Sequence, residues 1–232
     1  MRVLVTGGTR GIGLATVRLF AGLDGCQLVV LANDFTDFPL QGENVQRDNF
    51  DLSQIDAIPK KVHEIGAIDV LVNNAGIYNG RPFSAYTTED ALRIHTVNYL
   101  APMKLATEFV SQFPSSSPSR IINVTSVVAE IGGLDCPYTA SKAALQNGTR
   151  ALARQWGRLE ICVNAVAPGI VEGTDVFNAI PAEVKQRLLA QTMDGKFATP
   201  DQVASVIFWL ATGAPPSIKG ATISINNGSH VS

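Results

Sequence analysis

The sequence predicts an α/β fold in which a doubly wound parallel sheet has helices on both faces. Short apolar runs rich in Val, Ile and Leu recur along the 232 residues and alternate with helical stretches. Strands that are buried on both faces have this continuous apolar pattern. A glycine-rich turn joins the first run to the first helix, and 46% of the residues are hydrophobic. That fraction suffices for a sizeable core, so residues 1–232 are expected to form a single domain.

Composition argues against several kinds of partner. The formal net charge of −2 indicates neither a nucleic-acid nor an anionic-membrane partner. The three cysteines, Cys26, Cys136 and Cys162, lack metal-ligand spacing and are expected to be reduced thiols, so no metal site is predicted. No apolar segment approaches the length of a membrane-spanning helix, and the first apolar run is too short for a signal peptide. A cytoplasmic protein is therefore expected.

Six strands are predicted from apolar and β-branched runs. They cover residues 2–6, 27–32, 68–72, 120–126, 161–167 and 221–226. The stretch between the second strand and Phe50 is interpreted as a polar loop. Residues 114–118, rich in Ser and Pro, are interpreted as a surface loop.

Helical patterns lie between these strands. They cover residues 14–20, 54–65, 87–112, 138–157, 181–190 and 200–210. The helix over 87–112 has Thr88 as its expected N-cap. It also contains Asn98, which helix interiors disfavour and which needs partners if it is buried, and Pro102, which predicts a kink. Residues 172–198 are the least regular part of the chain and are expected to cover a substrate pocket.

A glycine-rich sequence follows the first strand, with glycines at positions 7, 8, 11 and 13. Strand, glycine turn and helix in this order are the context of a dinucleotide-binding site. Glycine permits a tight turn and a close approach of the backbone to a pyrophosphate, whose charge is favoured at a helix N-terminus. We therefore expect a nucleotide cofactor to contact Gly7, Thr9, Arg10, Gly11, Ile12 and Gly13.

The second strand ends in Ala32-Asn33-Asp34, where dinucleotide-binding proteins contact the adenosine ribose. An acidic residue here binds the ribose hydroxyls of NAD(H), whereas a basic one suits the 2′-phosphate of NADP(H). The deciding position falls on Ala32 or Asn33, and Asp34 lies one or two residues beyond it. Arg10, in the glycine-rich turn, offers a guanidinium for a 2′-phosphate. The pattern favours NADP(H), with NAD(H) as the alternative.

Small and polar residues follow the later strands as well. Asn-Asn-Ala-Gly follows the third predicted strand at 73–76, Ser126 ends the fourth, and Pro168-Gly169 closes the fifth. Ligands of parallel sheets bind at the carboxyl ends of strands, so these residues are expected to lie together with the glycine-rich turn. Asp51 either accepts a hydrogen bond from an adenine amino group or caps the helix that follows it.

Tyr138 and Lys142 form the most chemically suggestive pair in the chain. They are four residues apart, so on a helix their side chains lie on one face. A nearby ammonium favours the phenolate and is predicted to lower the tyrosine pKa from its usual value of about 10. A tyrosine tuned in this way can exchange a proton near neutral pH.

Together these residues resemble the short-chain dehydrogenase/reductase family over essentially the whole chain, and in particular its 3-oxoacyl-[acyl-carrier-protein] reductase-like members. The matching motifs are T-G-x-x-x-G-x-G at 6–13, N-N-A-G at 73–76, a helix asparagine at Asn98, a strand-end serine at Ser126, Y-x-x-x-K at Tyr138 and Lys142, and P-G at Pro168-Gly169. The resemblance implies a Rossmann fold whose seven-stranded sheet is mostly parallel.

The resemblance also implies a role for each matched residue. Tyr138 would be the general acid in reduction and the general base in oxidation. Lys142 would hold the nicotinamide ribose and depress the tyrosine pKa, and Ser126 would bind the substrate oxygen. Asn98 would hold a water that links Lys142 to solvent. Further cofactor contacts would come from Asn33, Asp51, Leu52, Asn73, Asn74, Ala75, Gly76, Pro168, Gly169, Ile170 and Thr174.

The implied activity is hydride transfer between a nicotinamide cofactor and a small-molecule carbonyl or secondary alcohol. The first hypothesis is an NADP(H)-dependent reductase of a ketone or a 3-oxoacyl thioester. The alternative is an NAD-dependent alcohol, sugar or sterol dehydrogenase, and a third is a non-catalytic nucleotide-sensing protein. The helices over 87–112 and 138–157 are too apolar to be wholly exposed. In this family such helices pair between subunits, so a homodimer or homotetramer is expected.

Overall fold

A computed structural model describes residues 1–114 and 119–231. Its seven described strands form one sheet in the order β3-β2-β1-β4-β5-β6-β7, and every neighbouring pair among them is parallel. They are β1 (Arg2–Thr6), β2 (Gln27–Ala32), β3 (Val45–Asn49), β4 (Val70–Asn73), β5 (Ser119–Val124), β6 (Ile161–Pro168) and β7 (Thr222–Ile225). The chain winds outward from β1 to β3 and then from β4 to β7, which confirms the predicted doubly wound Rossmann fold.

Helices cover both faces of the sheet. Those described are α1 (Gly11–Ala21), α2 (Ile58–Ile65), α3 (Thr88–His95), α4 (Ala101–Phe109), α5 (Val128–Ile131), α6 (Cys136–Trp156), α7 (Asp175–Ala179), α8 (Ala182–Leu189) and α9 (Pro200–Thr212). On one face α1 and α9 pack with Val3 and Val5; on the other, α2, α4 and α6 pack with Leu4. Alternate strand residues point to opposite faces, so each apolar run contributes to two cores.

Strand β3 was not predicted, because the sequence there looks like a polar loop. Its five residues pair in parallel with β2, from Val45 beside Leu28 to Asn49 beside Ala32. Gln46 and Arg47 are exposed on it. A polar strand is expected at the edge of a sheet, where charged side chains discourage pairing with another chain. The apolar pattern that identified the central strands is therefore missing.

The helix predicted over 87–112 is interrupted. Helix α3 leads into a π-helical turn, Thr96–Leu100, and α4 continues from Ala101. Pro102 has no N–H to donate to the carbonyl four residues earlier, which belongs to Asn98, and a π-type turn accommodates the missing bond. The N-cap is Thr87, whose hydroxyl accepts from the N–H of Asp90 at 3.1 Å, and not the predicted Thr88.

Smaller differences concern two short helices and the start of α6. The short helices α5 and α7 lie in stretches without a predicted element, and α6 begins two residues earlier than predicted. Of the surface loop predicted at 114–118, residues 115–118 lie outside the described residues. No helix in the described part of the chain combines the length and apolar character needed to cross a bilayer.

Candidate active site

Two adjoining cavities open at the carboxyl edge of the sheet. The smaller, of about 330 Å³, is bounded by the glycine-rich turn and by the ends of β2 and β4. The larger, of about 710 Å³, is bounded by the ends of β5 and β6, the start of α6 and part of the segment 172–198. Arg10, Ile12, Gly76 and Thr174 line both, so the two cavities form one cleft.

The smaller cavity collects most of the predicted cofactor residues. Those that line it are Gly7, Thr9, Arg10, Gly11, Ile12, Gly13, Asn33, Asp51, Leu52, Asn74, Ala75 and Gly76. Helix α1 begins here at Gly11, and among the described residues no side chain caps it and no acidic residue lies in its first turn. The N–H groups and the positive dipole end of this helix suit a pyrophosphate. The residues present therefore fit the nucleotide half of a nicotinamide cofactor.

The glycine-rich turn is fastened to the turn over residues 73–76. Asn74 donates through Nδ2 to the carbonyls of Thr6, at 3.1 Å, and Gly7, at 3.0 Å. The Thr6 hydroxyl in return accepts from the N–H of Asn74 at 3.0 Å and of Ala75 at 3.1 Å. Asn74 and Ala75 thus hold the wall of the smaller cavity in one position. This is the contact that the two separate sequence motifs make in space.

The end of β2 presents Asn33 and Asp34 to the smaller cavity. Asp34 accepts from the hydroxyl of Thr36 at 2.6 Å and from its N–H at 2.8 Å. The hydrogen bonds from Thr36, and the nearby Arg10 guanidinium, lower the pKa of Asp34. An ionised carboxylate therefore lies where the sequence left the choice between NAD(H) and NADP(H) open.

Asp51 does not cap α2, because the helix begins only at Ile58 and its N-cap is Ala57, which makes no side-chain bond. Oδ1 of Asp51 accepts from the N–H of Ser53 at 2.8 Å, so it caps the turn that precedes α2. It also lines the smaller cavity together with Leu52 and Arg93. The Arg93 Nη2 atom lies 3.7 Å from Asp51 Oδ2. This end of the smaller cavity therefore carries a carboxylate and a guanidinium side by side.

Arg10 reaches from the glycine-rich turn to the segment 172–198. Its Nε atom lies 2.6 Å from Oδ2 of Asp175, and the two side chains are 76% and 66% exposed. An ion pair this exposed contributes only about 0–1 kcal/mol of stability. A phosphate can therefore compete with Asp175 for the guanidinium.

Ser126, Tyr138 and Lys142 line the larger cavity together. Lys142 Nζ lies 5.7 Å from the centroid of the Tyr138 ring and donates to the carbonyl of Val124 at 2.8 Å. Ser126 Oγ lies 3.5 Å from the carbonyl of Pro168. Such a long contact is weak, so this hydroxyl is free to turn toward a ligand oxygen.

The pKa of Tyr138 is shifted in the direction opposite to the prediction. Burial raises the pKa of Tyr138 to about 12; the Ser126 hydroxyl opposes the increase, and Tyr78 and Asp135 add to it. Burial lowers the pKa of Lys142 to about 8. The predicted lowering of the tyrosine pKa is therefore wrong for this structure, because desolvation of the phenol dominates. At neutral pH the phenol keeps its proton, which is the form that a general acid requires.

Asn98 lies in the π-helical turn, is fully buried and is outside the described lining of both cavities. Its Oδ1 accepts from the N–H of Ile77 at 2.7 Å, and its Nδ2 donates to the Ile77 carbonyl and to Ser141 Oγ, both at 3.0 Å. A Cβ on Gly76 would lie 3.4 Å from both Asn98 Oδ1 and Lys142 Nζ. The polar atoms of Asn98 are therefore hydrogen-bonded, and they tie Ile77, the residue after the 73–76 turn, to Ser141 of α6.

Asn73 lies below the turn that it begins, and it lines neither described cavity. It is buried, and its Nδ2 donates to Oδ1 of Asn123 on the neighbouring strand at 2.8 Å. Asn123 in turn donates to the hydroxyl of Thr149 on α6 at 2.9 Å. The contact with a cofactor that the resemblance implied for Asn73 is therefore replaced by a link between strands and the helix of Tyr138.

The larger cavity is mostly aliphatic. Its apolar lining includes Ile77, Val127, Val128, Ile131, Leu134, Ile170, Val176, Ala179, Ile180, Val184 and Leu188. Pro168, the last residue of β6, and Gly169 form another wall of this cavity. From the segment 172–198 come α7, α8 and Thr174, whose hydroxyl caps α7 by accepting from the N–H of Phe177 at 3.2 Å. The segment thus borders the cavity that contains Tyr138.

Sequence reasoning missed three residues of the site: Tyr78, Arg93 and Asp135. Asp135 is the N-cap of α6, where its carboxylate accepts from the N–H of Tyr138 at 3.1 Å. An aspartate followed two residues later by proline is a helix-start signal and identifies this cap. Tyr78 and Arg93 carry no such signal, because only the folded chain brings them to the cleft.

A sequence model of the family described as short chain dehydrogenase matches residues 1–185. The chain belongs to the short-chain dehydrogenase family. The acetoacetyl-CoA reductase of Shinella zoogloeoides is 33% identical and aligns over 97% of this chain and 96% of its own length. The galactitol 2-dehydrogenase of Agrobacterium fabrum is 32% identical over 99% and 97%. The crystal structure of BdcA in complex with NADPH is 30% identical, covers 98% of this chain and 93% of its own, and has a TM-score of 0.88.

Membership of the short-chain dehydrogenase family confirms three predictions. The resemblance read from the motifs is correct, and so is the fold class. The chain is an oxidoreductase of the NAD(P)-dependent kind that acts on carbonyl and alcohol groups. The individual roles of Ser126, Tyr138 and Lys142, and the choice between NADP(H) and NAD(H), stay predictions.

Proposed function

We propose that the protein reduces the carbonyl group of an aliphatic ketone or 3-oxoacyl thioester with NADP(H). The observation that carries this proposal is the aliphatic lining of the 710 Å³ cavity beside Ser126 and Tyr138. Apolar surface buried against such walls contributes about 25 cal/mol per Å². The hydroxyl groups of a sugar alcohol would instead lose hydrogen bonds with water. Similarity to an acetoacetyl-CoA reductase supports the same substrate class.

In the proposed mechanism the residues of the larger cavity orient and protonate the substrate. The nicotinamide cofactor supplies the hydride when bound. Ser126 Oγ and Tyr138 Oη donate hydrogen bonds to the carbonyl oxygen and stabilise the negative charge that develops there. Tyr138 then transfers its proton to that oxygen. A phenol whose pKa is about 12 is protonated at neutral pH, so the resting enzyme is ready for reduction.

Lys142 and Asn98 support Tyr138 in this proposal. Lys142 would hold the nicotinamide ribose hydroxyls. Its pKa of about 8 leaves both protonation states populated near neutral pH, which suits a group that returns a proton to the tyrosine. Asn98, bound to Ile77 and Ser141, would keep the turn at 73–76 in contact with α6 and hold a water of the proton relay.

The preference for NADP(H) rests on Arg10. Its guanidinium lies at the cleft, where its exposed pairing with Asp175 is easily exchanged for a 2′-phosphate. We expect Arg10→Ala to lower kcat/KM for NADPH at least tenfold and to leave kcat/KM for NADH within about twofold, since a hydrogen bond to a charged group contributes about 1.5–3 kcal/mol.

The control for this comparison is Arg18→Ala, which removes an exposed arginine of α1 outside both cavities. Arg18→Ala should leave kcat/KM unchanged for both NADPH and NADH. A wild-type preference for NADH that Arg10→Ala leaves unchanged would contradict the NADP(H) assignment and make Asp34 the ribose ligand.

A substrate panel tests the proposed function. Acetoacetyl-CoA and an aliphatic 2-ketone should be reduced with higher kcat/KM than a steroid ketone, and galactitol should be oxidised poorly with either NAD or NADP. Preferred oxidation of galactitol would support the sugar dehydrogenase alternative. Cofactor binding without turnover of any panel member would support the non-catalytic alternative.

We also propose that the protein works as a homodimer or homotetramer and is located in the cytoplasm. On the helical pair α3 and α4, Leu92 is 61% exposed and Leu100, in the turn between them, is 43% exposed. Pairing with a second copy would bury this apolar surface. Light scattering at micromolar concentration should give a mass at least twice 24.7 kDa, and a mass equal to that value would contradict the assembly.

A further inference from the structure

Asp135 is a buried carboxylate beside Tyr138, and the proposed mechanism assigns it no role. It is 2% exposed. Its Oδ1 accepts from the N–H of Tyr138 at 3.1 Å. Its Oδ2 accepts from the N–H of Asn79 at 3.2 Å, the N–H of Gly80 at 2.9 Å and the hydroxyl of Tyr86 at 2.6 Å. Four donors from two elements therefore converge on one side chain, which is more than an N-cap requires.

These bonds join two walls of the larger cavity. One wall is the loop over residues 77–86, which contributes Ile77, Tyr78 and Gly80 to the lining. The other is the first turn of α6, which carries Tyr138. The loop is fastened at its far end as well, because the guanidinium of Arg81 lies 4.4 Å from the Tyr86 ring centroid and Arg81 pairs with Asp90 of α3 at 2.5 Å.

We propose that Asp135 is a positioning residue that fixes the Tyr138 phenol against the loop over residues 77–86. This proposal rests on the proposed function, in which Tyr138 is the proton donor. One carboxylate oxygen holds the start of α6, and the other holds the loop. The distance between the tyrosine and the opposite cavity wall, and hence the space for a substrate carbonyl, depends on this side chain together with Asn98, which bonds Ile77 to Ser141 of α6.

The charge of Asp135 gives the proposal a readout beyond stability. The groups that face Tyr138 are Asp135, the Tyr78 ring at 5.1 Å in edge-to-face contact, Lys142 at 5.7 Å and the Ser126 hydroxyl. A carboxylate disfavours a neighbouring phenolate, so Asp135 contributes to the raised pKa of Tyr138. Removal of the carboxylate should therefore lower that pKa.

The main variant is Asp135→Ser, because serine keeps an oxygen that can cap α6 and loses the oxygen that binds the loop. The assay is reduction of acetoacetyl-CoA with NADPH as a function of pH. We expect kcat/KM at neutral pH to fall at least tenfold. Reduction needs the protonated phenol, so the alkaline limb of kcat/KM should move to lower pH.

A second variant separates position from charge. Tyr86→Phe keeps the carboxylate and removes the hydroxyl that binds it at 2.6 Å. It should lower kcat/KM severalfold and leave the alkaline limb in place. The control is Thr199→Ala, which removes the N-cap of α9, where the Thr199 hydroxyl accepts from the N–H of Gln202 at 3.3 Å. It should lower Tm and change neither kcat/KM nor the pH profile.

A titration without substrate completes the test. The difference in phenolate absorbance between Asp135→Ser and Asp135→Ser/Tyr138→Phe gives the pKa of Tyr138, which should lie below the wild-type value. Wild-type kcat/KM and an unmoved tyrosine pKa in Asp135→Ser, with Tyr138→Phe inactive, would overturn the role of Asp135 and leave the proposed function standing. Activity retained in Tyr138→Phe would instead overturn the proposed function.

Discussion

Tyr138→Phe is expected to lower kcat by about 10²–10⁴-fold, which is the usual contribution of a positioned general acid. The substitution removes only the hydroxyl. The phenylalanine ring can keep the edge-to-face contact with Tyr78 at 5.1 Å, and Lys142 can keep its bond to the Val124 carbonyl at 2.8 Å. The dissociation constant of the cofactor, measured by fluorescence titration, should therefore stay within about twofold of wild type, because the lost group acts on the substrate.

Tyr99→Phe is the matched control, because it removes a tyrosine hydroxyl outside the described lining of both cavities. It should keep wild-type activity. Lys142→Ala should weaken turnover and cofactor binding together, since this lysine is proposed to contact both the ribose and the proton relay. If Tyr138→Phe retained most of its activity, the assignment of the proton donor would be wrong.

The central sheet could be predicted because its strands are buried on both faces. Such strands are apolar over most of their length, as in β4 and β6, whose residues are all buried and include one asparagine each, Asn73 and Asn164. Strand β3 could not be predicted by the same rule, since exposed Gln46 and Arg47 give it the composition of a loop. The π-helical turn was signalled only indirectly, by Pro102, because the type of turn depends on how the helix packs around Asn98.

The candidate site was predictable to the extent that its residues stand at strand ends. Ser126, Asn74 and Gly169 each follow a strand, and parallel strands end at one edge, so their convergence follows from the fold. The ion pair between Arg10 and Asp175 was not predictable, because it joins segments that are distant in sequence. The direction of the shift in the Tyr138 pKa was missed for a similar reason, since desolvation of the phenol depends on the cavity walls that the folded chain places around it.

The second large effect is expected from Gly13→Ala, in the first turn of α1. A Cβ at this position would lie 2.1 Å from the Gly7 carbonyl oxygen and 2.5 Å from Nδ2 of Asn74. Neither atom is free to move. Gly7 has φ of +64°, a left-handed conformation that its tight turn requires, and Asn74 is bonded to the carbonyls of Thr6 and Gly7.

The added methyl group must therefore push the glycine-rich turn away from the turn over 73–76, and both form walls of the smaller cavity. We expect a loss of about 1–3 kcal/mol in the free energy of unfolding, as for other overpacked sites, and at least tenfold weaker cofactor binding. Gly22→Ala is the control, since its Cβ would come no closer than 3.6 Å to the carbonyl oxygen of Arg18. Its stability and cofactor affinity should stay near wild type. Equal effects of the two substitutions in urea unfolding and in cofactor titration would contradict the role of Gly13 as the point of closest contact in the nucleotide site.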